Sequence, residues 1–260
     1  MRRALSFTIF LISALLNGCA SLTGEPPEQI VLPYVTNFSY SQPEDGIPNG
    51  WQPWTLSKFK KPTEYKLVKE DGRTVVRARA AASASGLVHP LNLDPARYPL
   101  LQWRWKVDEL IANADNTRKN TEDSPVRLVI SFDGDLDKLA FDDRLFFDQI
   151  KAFTGQQLPY ATLMYIWENR VPRGTVIPNR HTSRIKMVVA ETGREKLGKW
   201  QEQSRNLYED FRRAFGERPG KITSIGIMTD TDNTGDNVHA FYGDIIFKRV
   251  APPRIVFSSD

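Results

Sequence analysis

From 101 to 107 the chain reads Leu101-Gln102-Trp103-Arg104-Trp105-Lys106-Val107, apolar at odd positions and polar at even ones. That two-residue period is the mark of a strand with one buried face. Comparable patterns predict strands over 74–80, 126–132, 184–190, 221–228 and 240–248. Residues 159–167 are apolar on both parities, which predicts a central strand covered on both faces. Two stretches follow a helical period instead. Trp200, Leu207, Phe211 and Phe215 predict a helix over 200–215 that Gly216 stops, and Leu139, Phe146 and Ile150 predict a second over 135–153. Residues 108–123 are rich in Asn, Asp and Thr and predict a mobile loop. Many short strands and few helices make the expected fold mainly β. It is a two-sheet antiparallel jelly-roll sandwich with one or two added helices, a single domain over 34–251 followed by a tail at 252–260.

The first residues have a different purpose. Arg2 and Arg3 precede an apolar run over 4–16, the length of a signal-peptide core and too short to span a bilayer. The run ends in Leu16-Asn17-Gly18-Cys19, which resembles the bacterial lipobox, with Asn17 an unusual occupant of its slot. This predicts a signal peptide over 1–18, Cys19 as the palmitate-bearing first residue of an exported lipoprotein, and a flexible tether over 19–33 rich in Ser, Thr, Gly, Glu and Pro. Cys19 is the only cysteine, so no disulfide can form within the chain. Ala20 follows it where an aspartate would signal inner-membrane retention in Gram-negative lipoproteins; the resemblance therefore implies the periplasmic side of the outer membrane. Loss of Arg2 and Arg3 leaves thirty-three basic against thirty-one acidic side chains. So even a balance gives no footprint for nucleic acid.

Four groups of residues carry candidate chemistry. Asp230, Asp232 and Asp236 lie in the loop Asp230-Thr231-Asp232-Asn233-Thr234-Gly235-Asp236, which has the early spacing of an EF-hand but Phe241 where the closing glutamate belongs. The loop reads either as a tight turn or as a site for Ca²⁺. Glu168 and Glu191 follow or end strands, and as a facing pair they would suit acid/base hydrolysis of a glycan. The alternative is that they are solvating or ion-paired strand ends. The parity opposite the apolar one carries Arg77, Arg79, Arg104, Lys106, Arg127, Arg184 and Lys186, a basic stripe that would bind an anionic ligand or remain simply solvated. Trp51 and Trp54, in a loop with Pro and Gly, offer rings that stack on a sugar or fill the core. The histidines His89, His181 and His239 are too dispersed for zinc, and no Gly-x-Ser-x-Gly occurs.

Four passages are similar to the bacterial domain of unknown function 3047: Gly46-Ile47-Pro48-Asn49-Gly50-Trp51, Trp103-Arg104-Trp105, Leu158-Pro159-Tyr160-Ala161-Thr162-Leu163-Met164-Tyr165-Ile166-Trp167-Glu168, and Gly226-Ile227-Met228-Thr229-Asp230-Thr231-Asp232-Asn233-Thr234-Gly235. The layout also resembles jelly-roll carbohydrate-binding modules, with an early Gly-Trp, a strand after Tyr98-Pro99 and a closing strand ending Tyr242-Gly243-Asp244-Ile245. Neither resemblance brings an activity. The expected function is non-catalytic binding of a cell-envelope saccharide or anionic ligand. Two alternatives stay open: a glycan hydrolase using the carboxylate pair, and an assembly factor whose partner is another envelope protein.

Overall fold

The computed structural model describes residues 34–249. The expected signal peptide, Cys19, tether and tail lie outside the described residues. Twelve strands and two α-helices follow in order: β1 (Gln52–Thr55), β2 (Glu64–Glu70), β3 (Arg73–Ala81), β4 (Ala84–Leu93), β5 (Leu100–Val107), β6 (Ser124–Phe132), α1 (Phe141–Thr154), β7 (Ala161–Glu168), β8 (Val176–Pro178), β9 (Ile185–Thr192), β10 (Gln201–Asn206), α2 (Leu207–Phe215), β11 (Ile222–Asp230) and β12 (Asn237–Lys248). They form a seven-stranded sheet, β1-β4-β11-β6-β7-β9-β8, and a five-stranded sheet, β10-β5-β12-β3-β2. This is a two-sheet sandwich of jelly-roll type. One pair departs from the expected antiparallel rule, because β7 and β9 run parallel, joined by a connection that contains β8.

The core is the inward parity of both sheets. Trp103, Trp105 and Tyr242 from the five-stranded sheet meet Leu128, Ile130, Leu163 and Tyr165 from the seven-stranded one, with the Trp103 and Tyr165 ring centres 4.9 Å apart. Two tyrosine hydroxyls bridge the layers. Tyr242 donates to the Met228 carbonyl at 2.6 Å and accepts the Arg127 N–H, and Tyr65 donates to the Ser85 carbonyl at 2.6 Å and accepts the Thr229 N–H.

The expected helix over 200–215 is split. Residues 201–206 pair with β5 as an edge strand, and only 207–215 is helical. Gln201, Gln203 and Arg205 alternate with exposed Glu202 and Ser204, a period-two signal hidden inside the helical one. Asn206 caps α2 by accepting the Glu209 N–H, Gly216 ends it with φ of 74°, and Phe211 lies 4.6 Å from Phe132. Helix α1 starts later than expected, at Phe141, with Asp142 and Asp143 in its first turn and Gly155 at its end. Residues 108–123 are not a free loop. Asn169 donates to the carbonyls of Ile111 and Ala114, and Ile111 packs with Ala80 and Val238, so the segment lies down against the sandwich.

Candidate binding cleft on the seven-stranded sheet

Because alternate residues of each strand point inward, the others make the outer face, and strand register sorts them into three rows. The first runs Pro90, Ser224, Ser131, Thr162, Ile185. The second runs Gln52, Val88, Gly226, Val129, Met164, Met187. The third runs Trp54, Gly86, Met228, Arg127, Ile166, Val189. Hydroxyls therefore lie side by side in one row and apolar groups in the next. The hydroxyls of Ser131, Thr162 and Ser224 make no hydrogen bond to another of the described residues.

Part of the third row is roofed over. Segment 108–123 covers Arg127, which is 2% exposed and forks onto Asp230 at 2.7 and 3.0 Å. The Arg127 guanidinium also donates to the Asn116 side-chain oxygen at 3.2 Å and the Glu122 carbonyl at 2.9 Å. Burial pushes the Asp230 carboxyl up to about 6 against the pull of Arg127.

Over the first two rows the face stays open as a cleft of about 580 Å³. One wall is Trp54 and Leu56, at and just after β1; the other is Asp133, Leu136 and residues 156–160, which flank α1. Glycines shape it. At Gly226 the floor has no side chain, and a Cβ at Gly86 would come 3.0 Å from the Trp54 ring. A Cβ at Gly134 would sit 2.2 Å from the Tyr160 ring, so that ring packs directly on the backbone after β6.

Two anchors hold this second wall. The Arg184 guanidinium lies 4.0 Å from the Tyr160 ring centre and donates to the Tyr160 carbonyl at 3.0 Å and to Glu217 at 2.6 Å. The Tyr160 hydroxyl donates to Glu217 at 3.2 Å; burial raises its pKa, with Arg184 opposing. Asp143 in the first turn of α1 accepts from the Thr182 hydroxyl at 2.6 Å and from the Ser183 N–H at 2.7 Å, and also from the Ser183 hydroxyl. Burial alone would raise the Asp143 pKa, but these bonds outweigh it and hold the carboxyl below its usual value.

The residues singled out in the sequence are dispersed. Of the two loop tryptophans, Trp54 lines the cleft, whereas Trp51 is buried against Phe38 and His89 and donates to the Thr36 carbonyl. The basic stripe breaks up. Arg77, Arg79, Arg104 and Lys106 belong to the five-stranded sheet, where Arg104 stacks on Trp200 at 4.4 Å and Lys106 lies 4.3 Å from the Phe241 ring centre and pairs with Glu70. Arg127 is a buried ion-pair partner, Arg184 braces Tyr160, and Lys186 shares the inward parity of Val188 and Ala190 at the start of β9.

Glu168 and Glu191 do not stand free in a cleft. Glu168 is 1% exposed and accepts the N–H groups of Asn116, Arg170 and Val171; Glu191 is 2% exposed and pairs with Lys196 at 2.7 Å. Both oxygen sets are occupied by structural donors, which corrects the acid/base pairing expected of them. Asp230 and Asp232 of the aspartate loop converge with Asp123 of segment 108–123, a carboxylate oxygen of each within 4.8 Å of the others, while Asp236 caps the Asn237 N–H instead. Asp123 accepts four bonds from Asn233 and Thr234, and Asp232 pairs with Lys60.

Ser131, Thr162, Ser224, Met164 and Tyr160 were not among the candidates. Ser131 and Ser224 lie in the expected strands 126–132 and 221–228, while the second parity of 159–167, expected to be covered, floors the cleft at Thr162 and Met164.

Comparison with solved structures gives low-scoring resemblances. A carbohydrate-binding module specific for non-crystalline cellulose, CBM28, aligns at TM-score 0.39 and 13% identity over 86% of this chain and 96% of that one. The CBM22-1 xylan-binding domain of Paenibacillus barcinonensis Xyn10C aligns at 0.35 and 10%, over 84% and 96%. A β-1,2-glucanase from Parabacteroides distasonis aligns at 0.37 and 11% over 82% of this chain, which spans 25% of that enzyme's length. No curated protein matches the chain. A family model does, over residues 49–246, and by that match the chain belongs to DUF3047, a family of proteins of unknown function.

Proposed function

We propose that this is a non-catalytic envelope lipoprotein whose cleft binds a saccharide. The observation that carries the reading is the row of hydroxyls at Ser224, Ser131 and Thr162, unpaired among the described residues and in register beside the apolar row of Val88, Val129 and Met164. A pyranose ring has the matching division, with C–H groups on its faces and hydroxyls at its rim. Binding clefts of this size are mostly apolar with a few convergent polar groups that orient the ligand. Gln156 and Gln157 add amides that both donate and accept, and Trp54 adds an indole for stacking. The lining contains no lysine, arginine or histidine, so the chemistry favours a neutral sugar over an anionic one.

Isothermal titration against a panel of neutral and acidic envelope oligosaccharides tests the reading. A neutral member is expected to bind. Trp54→Ala and Thr162→Val should each weaken binding by roughly two- to tenfold, the loss of one stacking or hydrogen-bond contact. Absence of binding across the panel, or full binding by both variants, would sink it.

A further inference from the structure

We infer that the saccharide bound in the cleft carries an apolar chain, so that the ligand is an amphiphile, a sugar joined to an alkyl or prenyl tail. This rests on the saccharide reading and goes beyond it. The hydroxyl row accounts for one strip of the floor only. The adjacent strip, Val88, Gly226, Val129 and Met164, offers no polar side chain at all, and the wall beside it is Trp54 and Leu56. Trp54, Leu56 and Met164 pack against Ala84, Val129 and Met228 as a satellite cluster outside the main core, and Trp54, Leu56, Val129 and Met164 face the cleft with no strand or helix of the described residues over them. A single sugar ring, one face on the apolar strip and its rim hydroxyls on the polar row, would occupy only part of a cleft of about 580 Å³, whereas a tail continuing from the sugar would cover the apolar remainder beside Trp54 and Leu56. A second observation agrees. Helix α1 joins the two segments of the second wall and leaves Phe141, Leu145 and Phe153 exposed by 78, 48 and 84%. Exposed apolar side chains on the helix that joins the two wall segments suit a ligand that must be collected from a lipid phase.

The test is titration of the mature chain with n-alkyl β-glucosides from methyl to decyl, each below its micelle concentration, alongside alkanols of equal length. Affinity for the glucosides is expected to rise by about fourfold per added methylene until the apolar strip is filled. Leu56→Ser and Met164→Ser should flatten that slope. Thr162→Val should lower every glucoside by a similar factor without changing the slope. Glucosides that bind with no dependence on chain length would overturn the amphiphile and leave the saccharide reading standing. Alkanols that bind as tightly as glucosides of equal length would overturn the saccharide reading, and failure of every ligand would overturn both.

Discussion

Arg127 and Asp230 make a fork of two hydrogen bonds under a roof of segment 108–123, far from water. Removing one partner of such a pair strands the other charge. Asp230→Ala is therefore expected to cost about 3–5 kcal/mol, while the double change Arg127→Met with Asp230→Leu should recover most of that. Urea denaturation of the single and double variants decides it; equal losses in both would mean the pair is not the source. His89 has a different dependence. It is buried, its Nδ1 N–H donates to the Pro90 carbonyl at 2.8 Å, and burial holds its pKa below the usual 6.5. Between the folded and unfolded values the folded chain binds fewer protons. The neutral ring thus contributes stability that is fully present above about pH 6.5 and is lost as pH falls through the depressed folded value. His89→Gln should flatten the fall in unfolding free energy between about pH 7 and 5; unchanged slopes would remove His89 as its cause. Alternation in the sequence showed that Arg127 points away from the core. It could not show that a segment ending at the start of β6 folds back over it.

At the scale of elements, α1, which joins the two segments of the second cleft wall, is the support most exposed to failure. Of its residues only Asp143 and Phe147 are buried, and Asp143 pins it to the turn before β9. Asp143→Ala removes charge-assisted bonds worth roughly 1.5–3 kcal/mol each. The expected result is faster amide exchange across α1 with little change in β6 or β7, and weaker ligand binding. Uniform acceleration throughout would point to global destabilisation instead. The six strands expected from alternation are all present; the period is clean in β5, where Leu101, Trp103, Trp105 and Val107 are buried between half-buried neighbours, whereas β6, β9 and β11 bury residues of both parities. The shorter β1 and β8, and β10 within its helical pattern, gave no comparable signal, and neither did β4, where Ala84, Ser85, Gly86 and Leu87 are buried in succession. The hydroxyl row was invisible for a further reason: Ser224, Ser131 and Thr162 become neighbours only through the pairing of three strands distant in sequence.

For the whole molecule, the proposed site of work depends on Cys19. Two or three acyl chains at that residue would hold the domain at a membrane, since each buried methylene adds about 0.8 kcal/mol. No helix among the described residues is long and apolar enough to cross one. Cys19→Ser is expected to abolish labelling by radioactive palmitate and move the protein from the membrane to the soluble fraction; retention of both would refute the anchor. The tyrosine bridges between the sheets bear on how such a domain can change its ligand. Tyr65 and Tyr242 tie the strands beneath the cleft to the opposite layer, so the floor acts as a fixed bed. The walls come from the edge strand β1 and from the insertion between β6 and β7, neither of which carries those ties. Replacing the insertion with another of equal span is therefore expected to reshape the cleft without refolding the sandwich, which makes this architecture a candidate chassis for engineered receptors.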